Sequence, residues 1–403
     1  MFDLDQFINE YVIKRDHSMF VDDMEANIDI LRSKIEGKSV LVIGGAGSIG
    51  SAFIRTILPC DPDELIVVDT NENALTELTR SLRSSSELGK HIPKVYLPYP
   101  MDYSSITFRR MFKNHGRFDI VANFSAHKHV RSEKDIYSVE ALIRNNVINA
   151  KALLDLLEEY PPETYFCVST DKAANPVNIM GASKRIMEDL IFSYSDVFPV
   201  KTARFANVAF SNGSLPAGFL ERINRHQPLS APSDVKRYFV SPDESGQICT
   251  LAAVLGDNRN IFFPKLEEAQ MTTFDRIAED LLKVMGHVPD YCNTDEEAIK
   301  KAADWTEGKP YPVHFAPSDT SGEKSFEEFF AEGEALEMTR FKSLGIITDK
   351  PVPERCSVIS LINDLDRAFE HPDCDKEDIV KLIGDYLPNF EHIETGRSLD
   401  GKM

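Results

Sequence analysis

Short apolar runs recur along residues 38–210, each followed by a longer stretch of helical texture. The runs are SVLVIGG (39–45), ELIVVDT (64–70), KVYLPYPMD (94–102), FDIVANFSA (118–126), TYFCVSTDK (164–172) and VKTARFANV (200–208). Most are continuously apolar rather than alternating, which is the pattern of strands buried on both faces. Segments such as SIGSAFIRTIL and SVEALIRNNVINAKALLDLLEEY lie between them and have the length and spacing of helices. Strand and helix alternating in this way predict an α/β fold with a parallel, doubly wound sheet.

The pattern changes on either side of this region. Residues 1–37 are polar, with spaced apolar positions at Phe7, Ile8, Val12, Met24, Ile28, Ile30, Leu31 and Ile35, and predict an N-terminal helical arm. Beyond about residue 209 the chain becomes turn-rich (SNGSLPAGFL), and from about 265 it is acidic and helix-leaning. The expected division is an arm at 1–37 and a sheet domain at 38–210, with 235–264 returning to it. A smaller, mostly helical substrate-binding and C-terminal region takes 211–234 and 265–403.

Charge and composition narrow the function. The 403 residues carry 45 Lys+Arg against 65 Asp+Glu, a formal net charge of −20. So acidic a chain is a poor partner for nucleic acid, whose phosphates demand a basic surface, and for anionic membranes. No apolar run is long enough to span a bilayer, and MFDLDQFINEYV lacks the basic and apolar regions of a signal peptide, so a cytoplasmic protein is expected. The six cysteines have no short-spaced pair, so no metal site is expected and the thiols are expected to be reduced.

Candidate chemistry begins where the first strand ends. Gly44, Gly47 and Gly50 sit in GGAGSIG immediately before a helix. Gly44 permits a tight turn, Gly47 lets the backbone approach a pyrophosphate, and Gly50 lets helix and strand pack closely. Ser48 and Ile49 start the helix, whose free N–H groups and partial positive charge suit phosphates. Asp69 ends the second strand, 19 residues past Gly50, where a carboxylate accepts hydrogen bonds from ribose hydroxyls and repels a 2′-phosphate. No Arg or Lys follows in Thr70–Asn73, so the pattern is that of a Rossmann-like, NAD-binding domain. The alternative for Asp69 is a helix cap.

A second constellation lies at the end of the fifth run. Thr170, Asp171 and Lys172 place a hydroxyl, a carboxylate and an amine together, and Met180 and Lys184 follow in MGASK. Ligands of open α/β sheets bind beyond the carboxyl ends of the strands.

Over roughly residues 38–330 the chain resembles the extended short-chain dehydrogenase/reductases, in the nucleotide-sugar dehydratase branch of polysaccharide biosynthesis proteins. The resemblance rests on GGAGSIG (44–50), NFSAHKHV (123–130), STDKAANPVNIMGASKR (169–185), RFANVAFSNGS (204–214), KRYFVSPDES (236–245) and SGEKSFEE (321–328). Within that branch it is most similar to the UDP-N-acetylglucosamine 4,6-dehydratases. One position departs from the superfamily's Tyr-x-x-x-Lys motif: Met180 stands where the acid/base tyrosine is usual, and Lys184 is retained. A thioether cannot take a proton from an alcohol. Some dehydratases of this branch are similar in carrying methionine there.

The resemblance implies NAD-dependent loss of water from a UDP-linked N-acetylhexosamine, for bacterial surface amino sugars. Hydride leaves C4, water is eliminated across C5–C6, and hydride returns to C6. On this basis Asp171 is expected to protonate the departing 6-hydroxyl and to be the best candidate for taking the 4-hydroxyl proton. Lys172 is expected to remove the C5 proton, Thr170 to bond the 4-oxygen, and Lys184 to hold the nicotinamide ribose. It also implies that Asp102 recognises adenine, that Ala126 lies against the adenosine, and that Asn146 supports the active-site backbone beside the cofactor. Lys128 and His129 would line the sugar side, and Asn207 and Arg237 would contact the diphosphate of the UDP-sugar. Glu323 and Lys324 belong to a Gly-Glu-Lys element whose contacts the sequence does not reveal. A homodimer through helices 136–158 and 180–196, or a larger homo-oligomer, is typical of the superfamily. The competing functions are a nucleotide-sugar 4-epimerase and a catalytically silent NAD-binding regulator.

Overall fold

The computed structural model describes residues 2–129, 133–320, 322, 324 and 326–394. All of the predicted runs form strands: β1 (Ser39–Ile43), β2 (Glu64–Asp69), β3 (Val95–Pro100), β4 (Ile120–Asn123), β5 (Thr164–Thr170) and β6 (Val200–Phe205). With β7 (Ile261–Pro264), β8 (Ala335–Glu337) and β9 (Leu344–Thr348) they build one nine-stranded sheet, in the order β8-β9-β7-β6-β5-β4-β1-β2-β3. From β3 to β7 every neighbouring pair is parallel, whereas β9 runs antiparallel to both β7 and β8. The fold is therefore a Rossmann-like, doubly wound α/β sheet.

Strand order reverses around β1. The chain goes outward through β2 and β3, then returns to place β4 on the other side of β1. Connections leaving β1 and β4 diverge to opposite faces, which opens a crevice at their carboxyl ends. The glycine-rich turn into helix α1 (Ser48–Ile57) stands at that crevice.

Two apolar cores organise the rest, and they correct the expected division of the chain. The larger surrounds the sheet and also takes Phe20, Leu31 and Ile35 from the N-terminal arm. It takes Val358, Leu361, Ile362 and Leu365 of helix α4 (Arg355–Glu370) and Ile379 and Ile383 of helix α5 (Lys376–Tyr386). The smaller joins Phe7, Ile8, Val12 and Ile13 to Phe219, Ile223, Leu229, Ile277, Leu281 and Tyr311. So residues 335–348 and 355–386, expected in the appendage, complete the main unit. The arm is not separate: it straps the two cores together. Arg15, between its halves, forms a two-pronged ion pair with Glu244 at 2.7 and 3.0 Å. The smaller unit has helices Leu215–Asn224, Phe274–Val284 and Asp295–Ala303 around a three-stranded sheet.

Of the two helices expected to carry a dimer, the second is covered within the chain, whereas the first keeps Tyr137 exposed. Helix α2 (Ile179–Phe192) is buried along its whole length except at Arg185; α4 packs against it, and Tyr386 of α5 donates to its Asp189 at 3.4 Å. Arg355 at the start of α4 donates to the Ser193 carbonyl (2.8 Å), Glu158 (2.9 Å) and Asp196 (2.7 Å), and its guanidinium lies 4.2 Å from the Tyr194 ring centre. Arg144 pairs with Asp366 at 2.7 Å. The tail beyond residue 330 has no motif that would announce this role. Among the described residues no helix is long and apolar enough to cross a membrane.

One buried amine makes stability depend on pH. Lys201 on β6 lies under helix α3 (Pro242–Leu255), with Nζ bonded to Thr164 Oγ1 (2.8 Å) and the Ala253 carbonyl (3.1 Å). Burial lowers its pKa from 10.5 to about 8. Between those values the unfolded chain binds more protons than the folded one, so this residue makes stability rise with pH across that window. Lys201→Met removes the effect, while the Ala253 carbonyl keeps its bond from the Thr164 hydroxyl at 3.2 Å. Denaturant melts from about pH 7 to about 11 should show a flatter alkaline profile for the variant than for the wild type.

Candidate active site

The glycine turn has the geometry of an anion cradle. Gly44 has φ +71°, and a Cβ there would lie 2.7 Å from the Ser125 amide nitrogen. At Gly50 a Cβ would lie 2.4 Å from the Gly44 carbonyl oxygen. Gly47, the cap of α1, provides no side chain to satisfy the first-turn N–H groups. Those of Ser48, Ile49 and Gly50 therefore stay available, and these residues line a cleft of about 420 Å³.

A neighbouring cavity of about 340 Å³ shares Gly44, Gly47, Phe124 and Ala126 with the cleft and extends past Asp69 and Asp102. Asp69 accepts from the Ala46 amide (3.0 Å) and, through its other oxygen, from the Asn71 amide (2.9 Å). It does not cap the following helix, because Asn71 does so by accepting from the Ala74 amide. Both Asp69 oxygens keep a lone pair for a ligand. Asp102 accepts from the Ser104 amide and is exposed on the cavity rim. Two joined cavities with a glycine cradle between them fit the two halves of a dinucleotide.

The cleft continues to the end of β5. Thr170, Lys172, Met180 and Lys184 line it, with Lys128, His129 and Asn207. The Thr170 hydroxyl donates to Asp171 Oδ1 at 2.7 Å. The same oxygen accepts from the Lys172 backbone amide (2.9 Å) and from Lys172 Nζ (3.2 Å). Asp171 itself is buried behind Thr170 and is not part of the cleft wall. Met180 and Lys184 are one turn apart on α2 and share a face. Burial lowers the Lys184 pKa, and its Nζ donates to the Val168 carbonyl at 3.1 Å. Lys128 Nζ reaches Ser211 Oγ at 3.4 Å.

Two expected residues stand behind the wall. Asn146 lies in a π-turn, Arg144–Ile148, inside the helical stretch 136–159. Its amide grips the backbone of His127 on both N–H and carbonyl (2.9 Å each) and donates to Ser183 Oγ (3.0 Å). It therefore supports the wall and does not contact the cleft, as the placement of a π-bulge at a functional site suggests. Arg237, expected at the diphosphate, is 4% exposed and donates to the Lys236 and Lys324 carbonyls (2.9 and 3.0 Å).

Sequence reading overlooked Glu327. Gly322, Lys324 and residues 326–328 lie behind the Thr-Asp-Lys turn. Asn178 donates to the Gly322 carbonyl (2.7 Å), Lys324 Nζ donates to the Asn175 carbonyl (2.7 Å), and Asn175 donates to Glu328 (2.9 Å). Glu327 is thereby buried with Oε1 3.6 Å from Lys172 Nζ and 3.9 Å from Arg237 Nη2. Lys324 thus acquires contacts, and Glu323 lies outside the described residues. Of two adjacent glutamates in SGEKSFEE, nothing in the sequence says which one turns inward.

A second buried charge cluster holds the strand that carries these groups. The fully buried Arg204 on β6 grips Glu188 of α2 with two bonds of 2.9 Å and also reaches Glu334 (3.0 Å) and the Phe329 carbonyl (2.9 Å). Lys350 donates to Glu188 at 2.8 Å, and Ser169, next to Thr170, donates to it at 2.7 Å. These cations hold the Glu188 carboxyl well below its usual range despite burial.

Sheet order, glycine turn and cleft together define a Rossmann-like dinucleotide-binding protein. The chain belongs to the polysaccharide biosynthesis protein family, which matches residues 40–349. It is 30% identical over 263 residues to a probable polysaccharide biosynthesis protein, EpsC, of Bacillus subtilis, covering 64% of this chain and 42% of that protein. The chain thus spans less than half the length of that relative. It is 24% identical over 246 residues to an inverting UDP-N-acetylglucosamine 4,6-dehydratase of Campylobacter jejuni, covering 59% of this chain and 69% of that one. UDP-glucose 4-epimerases of Rickettsia species match at 23–27% identity. Among solved structures, Pen from Bacillus thuringiensis superposes with a TM-score of 0.63 at 18% identity, over 82% of this chain and 98% of that one. The chain is therefore related to nucleotide-sugar dehydratases and epimerases.

The cradle makes a prediction that needs no ligand. Gly50→Ala forces a methyl group onto the Gly44 carbonyl, and overpacking of this kind costs about 1–3 kcal/mol. Equilibrium unfolding of the two proteins measures it, and equal stability would contradict the close approach of α1 to the turn.

Proposed function

We propose that the protein is an NAD-dependent 4,6-dehydratase acting on UDP-N-acetylglucosamine or a close UDP-N-acetylhexosamine, producing the 4-keto-6-deoxy sugar for surface amino-sugar biosynthesis. The observation that carries this reading is Met180 beside an intact Thr170–Asp171–Lys172 group. An epimerase needs only to oxidise and reduce C4. A dehydratase also needs an acid and a base for the C5–C6 elimination, and a carboxylate with an adjacent amine meets that need.

NAD, when bound, would supply reversible hydride transfer at the sugar, so no external reductant would be consumed. Gly44, Gly47 and the first turn of α1 would hold its pyrophosphate, Asp69 a ribose, and Asp102 and Ala126 the adenosine end. Lys184 would bond the nicotinamide ribose and favour negative charge at the sugar 4-oxygen. Lys128, His129 and Asn207 face the UDP-sugar.

Without a phenol, the 4-hydroxyl proton needs another path, and the Thr170 hydroxyl supports one. As Thr170 passes its proton to Asp171, it takes the proton of the 4-hydroxyl. Asp171 returns a proton by the same route to the departing 6-hydroxyl, which leaves as water. Lys172 removes the C5 proton while that bond breaks and gives it back to C5 after hydride reaches C6.

Incubation with UDP-N-acetylglucosamine and NAD, read by product mass, tests the function. Loss of one water supports it. A new stereoisomer of unchanged mass means an epimerase, and no change means a silent NAD-binding protein. Substrate deuterated at C4 should give product carrying deuterium at C6.

Thr170→Val keeps the shape and removes the relay. Its kcat should fall by about 10²–10⁴ with KM little changed. Asp171→Asn should fall comparably, and a near wild-type rate in either variant would exclude the route through Thr170.

A further inference from the structure

Lys172 is enclosed by charge on two sides. Asp171 Oδ1 lies 3.2 Å from its Nζ, and Glu327 Oε1 lies 3.6 Å from it on the other side. Arg237 stands 3.9 Å beyond, against the same Glu327 oxygen, and Lys324 also acts on Glu327. Glu327 is 5% exposed and is absent from the cleft wall, whereas Lys172 lines it. A carboxylate buried behind a catalytic amine can act only through that amine.

A lysine removes a carbon-bound proton only as the free amine. Two flanking carboxylates favour the ammonium instead. A resting ammonium must pass one proton elsewhere before it can serve as base, and a ligand covering the cleft closes the path to water. Asp171 is occupied with the proton of the 4-hydroxyl. Among the described residues, Glu327 is the other carboxylate within reach.

We propose that Glu327 stores the proton of Lys172: it takes that proton when substrate binds, leaves Lys172 as the free amine that removes the C5 proton, and returns its proton after turnover. This inference rests on the dehydratase reading above for its catalytic part. The balance closes within the site. One N–H bond of Lys172 breaks and one O–H bond of Glu327 forms, with no change in net charge. The C5 proton then moves to Lys172 and later back to C5.

The electrostatics set where the proton rests. Burial pushes the Glu327 carboxyl up, Asp171 adds to this, and Lys172 and Arg237 offset part of it. For Lys172, burial pulls the pKa down, but Asp171 and Glu327 together outweigh it and hold it above its usual value. The proton therefore rests on Lys172, and burial of the pair under substrate favours its transfer to Glu327, because a neutral pair costs less to desolvate than two charges.

Glu327→Gln keeps the shape but cannot take the proton, so Lys172 must lose it to water before substrate binds. Wild-type kcat should be nearly flat from about pH 6 to about 8, because the proton moves internally. In Glu327→Gln, kcat at neutral pH should fall at least about tenfold and climb about tenfold per pH unit. Glu327→Asp should restore much of the flat profile.

Labelling of Lys172 by a small amine-acylating reagent, read by peptide mass, gives a measurement independent of turnover. Removing one carboxylate should raise its reactivity about tenfold at fixed pH, as expected for a shift of about one pH unit in its titration. Reactivity and turnover then move in opposite directions, which loss of packing would not produce. A kcat profile parallel to wild type, or unchanged labelling, overturns the proposal. If the wild type releases no water from UDP-N-acetylglucosamine but labelling still rises, the dehydratase reading fails and the Lys172–Glu327 proton pair stands.

Discussion

A charge taken out of water must find a partner, and that constraint organises the centre of this protein. Two clusters obey it side by side. Arg204, Glu188, Lys350 and Glu334 close one network, and Asp171, Lys172, Glu327 and Arg237 close the other. Removing one member of a buried pair strands its partner and typically costs about 3–5 kcal/mol. The first network is compact and bidentate, and through Ser169 it fixes the end of β5. The second has longer contacts of 3.2–3.9 Å and borders the cleft. One anchors the strand, and the other is placed where a proton can move.

Neither cluster could form from the sheet domain alone. Glu334 and Lys350 flank the two strands that extend the sheet, and Glu327 arrives on the segment just before them. That segment holds its position through Asn178, which caps α2 with its side-chain oxygen and grips the Gly322 carbonyl with its nitrogen. The C-terminal third of the chain therefore completes the site that the middle third begins. The same third packs α4 and Tyr386 of α5 against α2, so it closes the helix face and the back of the active site together.

The fold is largely legible in the order of residues. Strands buried on both faces are apolar throughout, and the six runs kept that signature because helices cover both sides of the sheet. The cradle was legible too, because only glycine tolerates the approach of Gly44 to Ser125 and of Gly50 to Gly44. By contrast, β9 reads as one more short run in an acidic region, and the role of 1–37 was invisible because its two halves enter different cores. Motif matching gives no hint that Arg237, expected at the diphosphate, is buried with Nη1 bonded to two backbone carbonyls.

From the sequence alone came the parallel sheet, the glycine turn, Asp69, and the Thr170–Asp171–Lys172 group with Met180 in the phenol's place. These depend on local spacing, which the chain carries in its order of residues. Tertiary structure decided that Asp171 sits behind Thr170, that Asn146 and Arg237 stand behind the wall, and that Glu327 faces Lys172 across 155 positions of chain. Such contacts join segments far apart in sequence, and only the packing of α2 against the C-terminal segments brings them within a few ångströms.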